Sequence, residues 1–196
     1  MKSEAIRNSP ATFALLLVNV IVFAILTLSP DLAGVFLLDP SLVWEKPWTL
    51  VTVFFSHELP IHILLNMLLL VVFGTRLEKE THARVILGVY LLCGFIGSLS
   101  TVAYAAAIGY QGGLTAGASA SAFGIAAAYA ALKPDAVILK SKARNWVIAL
   151  FVVNALLTVQ NAQVSVGGAA HALGIIVGLA IGYAIRKRNS KTQATA

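Results

Sequence analysis

The sequence contains few charged residues and almost no cysteine. Charged side chains make up 11% of its 196 residues, whereas roughly a quarter is usual in soluble domains, so an ordinary soluble protein is excluded. The single cysteine, Cys93, cannot form an internal disulfide, and no Cys/His spacing typical of a zinc site occurs. Hydrophobic residues reach 59% and the mean hydropathy is +0.86. This composition indicates a membrane protein.

Long stretches without Asp, Glu, Lys or Arg predict six membrane-spanning helices. A helix of about 20 residues crosses a hydrocarbon core of about 30 Å. The uncharged stretches are 8–30, 59–75, 85–132 and 145–185, of which the second is the shortest. The last two are each long enough for two spans, with turns at 109–114 and 158–166. The expected fold class is therefore an all-α membrane protein whose spans carry no charged side chain.

The basic residues fall on one side of the predicted membrane. Of 14 Lys and Arg residues, 13 lie before the first span or in residues 76–84, 133–144 and 186–191, and Lys46 is the exception. By the positive-inside rule both termini are cytoplasmic, so the formal charge of +6 reflects topology rather than binding of nucleic acid. We expect a multi-pass protein of the cell membrane, with the lipid bilayer as its partner and no nucleic acid.

The predicted domain organisation has one membrane domain with two short cytoplasmic ends. These parts are a cytoplasmic N-terminal segment (1–10), a six-helix membrane domain (11–186) and a cytoplasmic C-terminal tail (187–196). The first apolar run is longer than the h-region of a signal peptide, so we interpret it as a membrane helix. The polar end, residues 189–196, predicts disorder. The loop 30–47, with Trp44 beside Trp48, is expected at the bilayer surface on the opposite face.

Polar side chains within the predicted spans indicate a functional site, because such groups are costly in a bilayer. His62 and Asn66 are four residues apart, so on a helix they project from one face. Ser119 lies at the junction between a glycine-rich external loop and the fourth span. His171 lies in the sixth span. These four residues are the candidate site residues.

Three further polar residues are interpreted as structural. Asn19 and Asn154 lie in the first and fifth predicted spans, where we expect them to form hydrogen bonds across helices. His57 is expected to be an interfacial histidine that bonds the loop, with a role in tuning the site as the alternative.

Small residues every four positions predict that the fourth and sixth spans pack closely, because such stripes let two backbones approach in a membrane. The fourth span carries Ala120, Gly124 and Ala128, and the sixth carries Ala170, Gly174, Gly178 and Gly182. If the two stripes face each other, Ser119 and His171 come into contact.

A serine in contact with a histidine predicts nucleophilic catalysis, because the imidazole can remove the hydroxyl proton. His62, Asn66 and the backbone N–H of Ser119 could then stabilise an oxyanion. No carboxylate in the last three spans could orient His171, so the expected arrangement is a dyad. Ser121 is an alternative nucleophile. A helix turns by about 200° over two residues, so the two serines cannot both face His171, and we interpret Ser121 as a packing or backbone-bonding residue.

Several motifs occur in an order and spacing that together cover residues 47–182. They are PWTLVTVFFSH (47–57), HILLN (62–66), FGTRLE (73–78), GASA followed by FG (117–124), and AHALG (170–174) with Gly178, after which the glycine spacing continues to Gly182. In these motifs the chain resembles the rhomboid family of intramembrane serine proteases. The match of Gly117 and Gly124 to the family pattern favours Ser119 over Ser121.

The resemblance implies a six-helix bundle that cleaves other membrane proteins at or near their transmembrane segments. It implies Ser119 as the nucleophile, His171 as the general base, and His62 with Asn66 as donors on the oxyanion side. It also implies a serine-type endopeptidase with a water-accessible cavity open to the external face, without metal or cofactor, whose partners are membrane proteins with a transmembrane segment.

Ala120 follows the predicted nucleophile, where the family usually has glycine. An added methyl could displace Ser119, and a displacement of about 1 Å can cost on the order of a hundredfold in rate. The alternative function is therefore a catalytically weak or inactive rhomboid-like protein that binds transmembrane segments as a scaffold or quality-control adaptor. Thr49 and Phe123 also depart from common family residues, arginine and tyrosine. A small-solute transporter is disfavoured, because the predicted spans lack charge and no two-half repeat occurs.

Overall fold

The computed structural model describes residues 7–194, with side chains up to Thr192. The α-helices in this range are α1 (Pro10–Leu28), α2 (Ala33–Phe36), α3 (Thr49–Thr52), α4 (Pro60–Leu69), α5 (Thr75–Glu80), α6 (Ala83–Ala107), α7 (Ser119–Leu132), α8 (Ala143–Gln160) and α9 (Gly168–Ala194). Short 3₁₀ turns occur at Pro30–Leu32, Pro40–Leu42 and Val53–Phe55, and a π turn, Leu70–Gly74, joins α4 to α5. A two-residue hairpin, β1 (Val137–Ile138) and β2 (Ser141–Lys142), connects α7 to α8.

Among the described residues, five helical segments are long and apolar enough to cross a membrane. They are Pro10–Leu28, Pro60–Glu80, Ala83–Ala107, Ala143–Gln160 and Gly168–Thr192. The predicted all-α membrane bundle is therefore confirmed, with one difference in helix length. The fourth predicted span is α7, which has 14 residues and a length of about 21 Å at 1.5 Å per residue, less than a hydrocarbon core of about 30 Å.

The short helix α7 lies at the centre of the bundle. Its sequence is alanine-rich and apolar on every side, as expected for a helix that is surrounded by others, and eleven of its 14 residues are buried. A helix enclosed in this way can end within the membrane thickness, because protein groups rather than lipid surround the irregular backbone before it. Ser119, its first residue, is consequently held among helices.

The two predicted small-residue stripes pack directly against each other. A Cβ atom placed on a glycine of α9 would collide with a backbone carbonyl oxygen of α7 at three successive turns: Gly174 against Ala120, Gly178 against Gly124, and Gly182 against Ala128. The predicted packing of the fourth span on the sixth is therefore present. The two helices can approach this closely because glycine has no side chain, so that the carbonyl oxygens of α7 occupy the positions where Cβ atoms of α9 would lie.

A buried carboxylate caps the first helix. The Glu78 oxygens accept hydrogen bonds from the backbone N–H groups of Ala11 (2.9 Å) and Thr12 (2.8 Å) and from the Thr12 hydroxyl (2.7 Å). The first N–H groups of a helix have no partner within the helix, so this carboxylate satisfies two of them. The expectation of spans without charged residues is wrong here, because the second span continues to Glu80 and encloses Glu78, which is 5% exposed.

Asn19 forms the interhelical hydrogen bond that the sequence predicts. Its Nδ2 donates to the Tyr90 hydroxyl oxygen at 2.8 Å, and the Tyr90 hydroxyl donates to the Phe54 carbonyl at 2.6 Å. Through these bonds α1, α6 and the turn that precedes α4 are held together around one buried phenol.

Residues 189–194 are helical, so the predicted disorder of the C-terminal tail is wrong for this part of it. Good helix formers such as Arg186, Lys187 and Lys191 continue α9 beyond the apolar segment. Residues 195 and 196 lie outside the described range, as do residues 1–6 of the predicted N-terminal segment. The domain boundaries at 10 and 187 stay predictions.

Candidate active site

Ser119 and His171 are in contact across the α7–α9 interface. Ser119 is the first residue of α7, and His171 lies in the first turn of α9. The distance from Ser119 Oγ to His171 Nε2 is 2.6 Å, although 52 residues separate them in the chain. Both side chains are half-buried. The contact predicted from the two stripes is thus present, at hydrogen-bonding distance.

The backbone before Ser119 is held by two neighbouring loops. Leu38 and Thr115 exchange backbone hydrogen bonds of 3.0 and 2.7 Å, and the Gly117 N–H donates to the Val53 carbonyl at 3.2 Å. Gly117 has a φ of +137°, a conformation that favours glycine. A Cβ there would also lie 2.6 Å from Cε1 of His62, so this glycine lets the imidazole approach the loop.

His62 and Asn66 lie one turn apart on α4, as predicted, but they meet different neighbours. His62 is half-buried and lines the cavity that also contains Ser119 and His171. Asn66 is buried and is absent from the cavity wall; its Nδ2 lies 3.1 Å from Nε2 of His57. The structure therefore brings three of the four candidate residues together and places the fourth behind them.

His57 is fully buried within the protein, and the hydrogen bond to a loop that the sequence predicts is present. Its position at the membrane interface stays a prediction. Its Nε2 accepts from Asn66 and lies 3.4 Å from the backbone nitrogen of Ala118, while its Nδ1 has no hydrogen-bond partner among the described residues. Burial, with a smaller contribution from nearby His62, lowers the pKa of His57 from 6.5 to about 3. His57 is therefore neutral at neutral pH and links Asn66 to the loop that carries Ser119.

The methyl group of Ala120 packs against α6 at Gly97, where no side chain occupies the space. A Cβ placed on Gly97 would lie 2.6 Å from the Ala120 Cβ, so the absence of a side chain at Gly97 makes room for this methyl. The Ser119–His171 contact exists with Ala120 in place. The extra methyl is therefore compatible with a hydrogen-bonding distance between the two side chains.

Two side chains beside the pair agree with their predicted roles. The Phe123 ring packs on the His171 imidazole, with centroids 4.8 Å apart and planes inclined by 34°, and forms a wall of the site. Ser121 is fully buried, and its hydroxyl donates to the Tyr90 carbonyl at 2.7 Å. Ser121 is a backbone-bonding serine and does not line the cavity.

Asn154 contacts His171, which the sequence reasoning missed. Its Oδ1 lies 2.7 Å from His171 Nδ1, and its Nδ2 donates to the Gly168 carbonyl at 3.0 Å. The interhelical hydrogen bonds predicted for Asn154 are present, but its contact with His171 is not among the predictions, because only a carboxylate is expected to orient the histidine. The feature of the sequence that could have indicated a role for Asn154 is the presence of an amide in an otherwise apolar segment. The sequence alone does not show that this amide contacts His171.

A cavity of about 550 Å³ adjoins the serine–histidine pair. Its wall contains polar groups from His62, Ser119 and His171 and apolar groups from α8, among them Trp146, Val153 and Leu157. Val153 and Leu157 are also half exposed on the outside of the bundle. An apolar peptide segment could enter such a cavity and reach the Ser119 hydroxyl. Acyl transfer requires that a carbonyl group reach a nucleophile that lies beside its base, and this cavity allows it.

The fold and the site define an integral multi-pass membrane protein with a serine–histidine pair enclosed by its helices. The family model described as the Rhomboid domain matches residues 45–188. The chain therefore belongs to the rhomboid family, which confirms the resemblance carried by its motifs. This family generally comprises serine intramembrane proteases, and also includes rhomboid-like proteins.

Two curated relatives come from Arabidopsis thaliana. The chain is 29% identical to RHOMBOID-like protein 6, mitochondrial, over 150 residues, which cover 73% of this chain and 47% of the relative. It is 34% identical to RHOMBOID-like protein 1 over 113 residues, which cover 57% of this chain and 25% of that relative. The matched region thus spans about half and a quarter of the lengths of these two relatives.

Proposed function

We propose that this protein is an intramembrane serine endopeptidase that cleaves transmembrane or membrane-proximal segments of membrane proteins. The observation that carries the proposal is the 2.6 Å contact between Ser119 Oγ and His171 Nε2 beside an apolar-walled cavity. A hydroxyl becomes an effective nucleophile when a base of this kind lies within hydrogen-bonding reach.

In the proposed reaction Ser119 attacks the carbonyl carbon of the scissile peptide bond while its proton passes to His171 Nε2. The tetrahedral intermediate then collapses, the C–N bond breaks, and His171 returns the proton to the leaving amine. A water molecule, deprotonated by the same imidazole, hydrolyses the acyl-enzyme and releases the new carboxyl end. No metal or cofactor takes part in this scheme.

Donors near the start of α7 support stabilisation of the oxyanion. The backbone N–H of Ser119 belongs to the first turn of a helix, where N–H groups lack intrahelical partners and the helix dipole favours negative charge. His62 lines the same cavity and is the first side-chain donor of the proposal. Asn66 is the second, through the amide N–H that is not directed at His57. Preorganised donors of this kind are worth about 10²- to 10³-fold each in rate.

The proposed orientation has both termini in the cytoplasm of a cell whose plasma membrane holds the protein. The clustering of basic residues at one end of the bundle supports it.

The orientation can be tested by cysteine labelling. The variant Cys93→Ala serves as the background, and single cysteines are introduced at Ser190 and at Ser41. A membrane-impermeant maleimide applied to intact cells should label the Ser41 position alone; labelling at Ser190 instead would reverse the orientation.

Cleavage by the purified chain tests the proposed activity. The protein is reconstituted in vesicles with a generic transmembrane substrate and compared with Ser119→Ala and His171→Ala. Both changes should abolish cleavage, whereas Ser121→Ala, a matched control two residues away, should retain it. Retained cleavage in Ser119→Ala contradicts the proposal, and substrate binding without any cleavage supports the scaffold alternative.

A further inference from the structure

Asn154 connects α8 and α9 at the reactive pair. It is 8% exposed, and both ends of its amide are engaged: one with the Gly168 carbonyl at 3.0 Å and the other with His171 Nδ1 at 2.7 Å. A carbonyl oxygen can only accept a hydrogen bond, so the amide NH₂ must face Gly168. The orientation of the amide is thereby determined, and its oxygen faces His171.

The amide oxygen in turn determines which imidazole nitrogen carries the proton. Because Oδ1 can only accept, the His171 nitrogen opposite it must be an N–H group. A neutral imidazole protonated at Nδ1 has its lone pair on Nε2, the atom that lies 2.6 Å from Ser119 Oγ. In the other tautomer two lone pairs would face each other at Asn154, and Nε2 could not accept the serine proton.

We infer that Asn154 is a positioning residue that selects the Nδ1–H tautomer of His171 and holds the ring toward Ser119. This inference rests on the proposed function for its catalytic meaning, although the tautomer itself can be observed without any reaction. The same hydrogen bond stabilises the imidazolium that forms when Ser119 loses its proton, which is the part a carboxylate plays in soluble serine hydrolases.

The amide is suited to this position in a membrane. A carboxylate would add a buried charge between two spanning helices, and such charges are costly there. An amide supplies the acceptor for Nδ1–H without that charge, and its second end also joins α8 to the start of α9. Asn154 therefore completes a neutral hydrogen-bonded chain of four groups: the Gly168 carbonyl, Asn154, His171 and Ser119.

The first test observes the tautomer directly. The full chain, labelled with ¹⁵N-histidine in detergent micelles, is compared with Asn154→Leu, and His171→Ala assigns the His171 signals. The native protein should show a protonated Nδ1 and an unprotonated Nε2, and Asn154→Leu should show a mixture of tautomers. Asn19→Leu is the matched control, because it removes another buried interhelical amide away from the site and should leave the His171 signals unchanged. An unchanged His171 signal in Asn154→Leu overturns the inference.

The second test separates positioning from folding through kinetics. Asn154→Leu should lower kcat by roughly 10- to 100-fold, as expected for a misplaced reacting group, with little change in KM. Asn154→Asp keeps an acceptor opposite Nδ1 in either protonation state and should recover most of the lost kcat. Equal kcat in the native protein and a folded Asn154→Leu, or no recovery in Asn154→Asp, contradicts the inference. If the native chain does not cleave at all, the proposed function fails, and the nitrogen signals alone decide whether Asn154 selects the tautomer.

Discussion

Gly178 on α9 lies directly against the backbone carbonyl oxygen of Gly124 on α7, with no room for a side chain between them. Equivalent contacts occur one turn before and one turn after, so the two backbones run in contact along most of α7. The Ser119–His171 distance depends on this approach, because each of the two residues lies at the end of its helix where the contact begins.

Gly178→Ala should therefore weaken both folding and activity. The new methyl meets backbone, which cannot rotate away, and overpacking of this kind typically costs about 1–3 kcal/mol. We expect a lower unfolding temperature in detergent and a lower cleavage rate at temperatures where the protein remains folded. Gly88→Ala on α6 is the matched control, since a Cβ there has nothing within 4 Å; equal behaviour of the two variants would contradict the packing argument.

Ala120→Gly should not raise the cleavage rate. The methyl already fits the gap at Gly97, so its removal relieves no strain, and the loss of packing together with a glycine inside a helix should lower stability by about 1 kcal/mol. The reciprocal change, Gly97→Ala, forces a methyl against Ala120 and should lower the rate on the order of tenfold or more. Rates of both variants in vesicles check this; a faster Ala120→Gly enzyme would show that the methyl restrains Ser119.

His57 should make the protein less stable in mild acid. Its pKa is about 3 in the folded protein against an ordinary value of 6.5, so between these pH values the unfolded chain binds a proton that the folded chain does not. Stability then rises with pH across this window and falls as the pH decreases. The unfolding temperature should drop from about pH 7 to about pH 4, and His57→Gln should reduce that drop. His82→Gln changes an exposed histidine and should leave the fall in unfolding temperature unchanged. If His82→Gln reduces this fall and His57→Gln does not, His57 is not its cause.

Glu78→Gln should destabilise the bundle without acting on the reaction. The substitution removes an acceptor from the first turn of α1, and hydrogen bonds to a buried charged group are each worth about 1.5–3 kcal/mol. We expect a lower unfolding temperature and an unaltered KM in the protein that remains folded. Glu80→Gln removes the exposed ion pair with Lys133 (2.9 Å), where about 0–1 kcal/mol is usual. The two variants should therefore differ clearly in unfolding temperature; a similar small effect in both would show that the cap contributes little.

The spacing of small residues was sufficient to predict the central contact of the molecule. In a membrane, backbones come closest where side chains are smallest, so stripes such as Gly174, Gly178 and Gly182 identify the contacting faces from the sequence. The position of Ser119 beside one stripe and His171 beside the other then follows. The same reasoning could not pair Asn66 with His57 or Asn154 with His171, because helical periodicity assigns a residue to a face but not to a neighbour.

By itself the sequence determined the membrane class, the approximate spans and the serine–histidine pair, because hydropathy, charge and residue spacing are local quantities that can be counted along the chain. Only the tertiary structure decided that α7 is short and enclosed, that Glu78 caps α1, that Gly97 accommodates the Ala120 methyl and that Asn154 faces His171. These features depend on how far each helix is rotated about its axis, and that rotation results from all the packing contacts of the bundle at once.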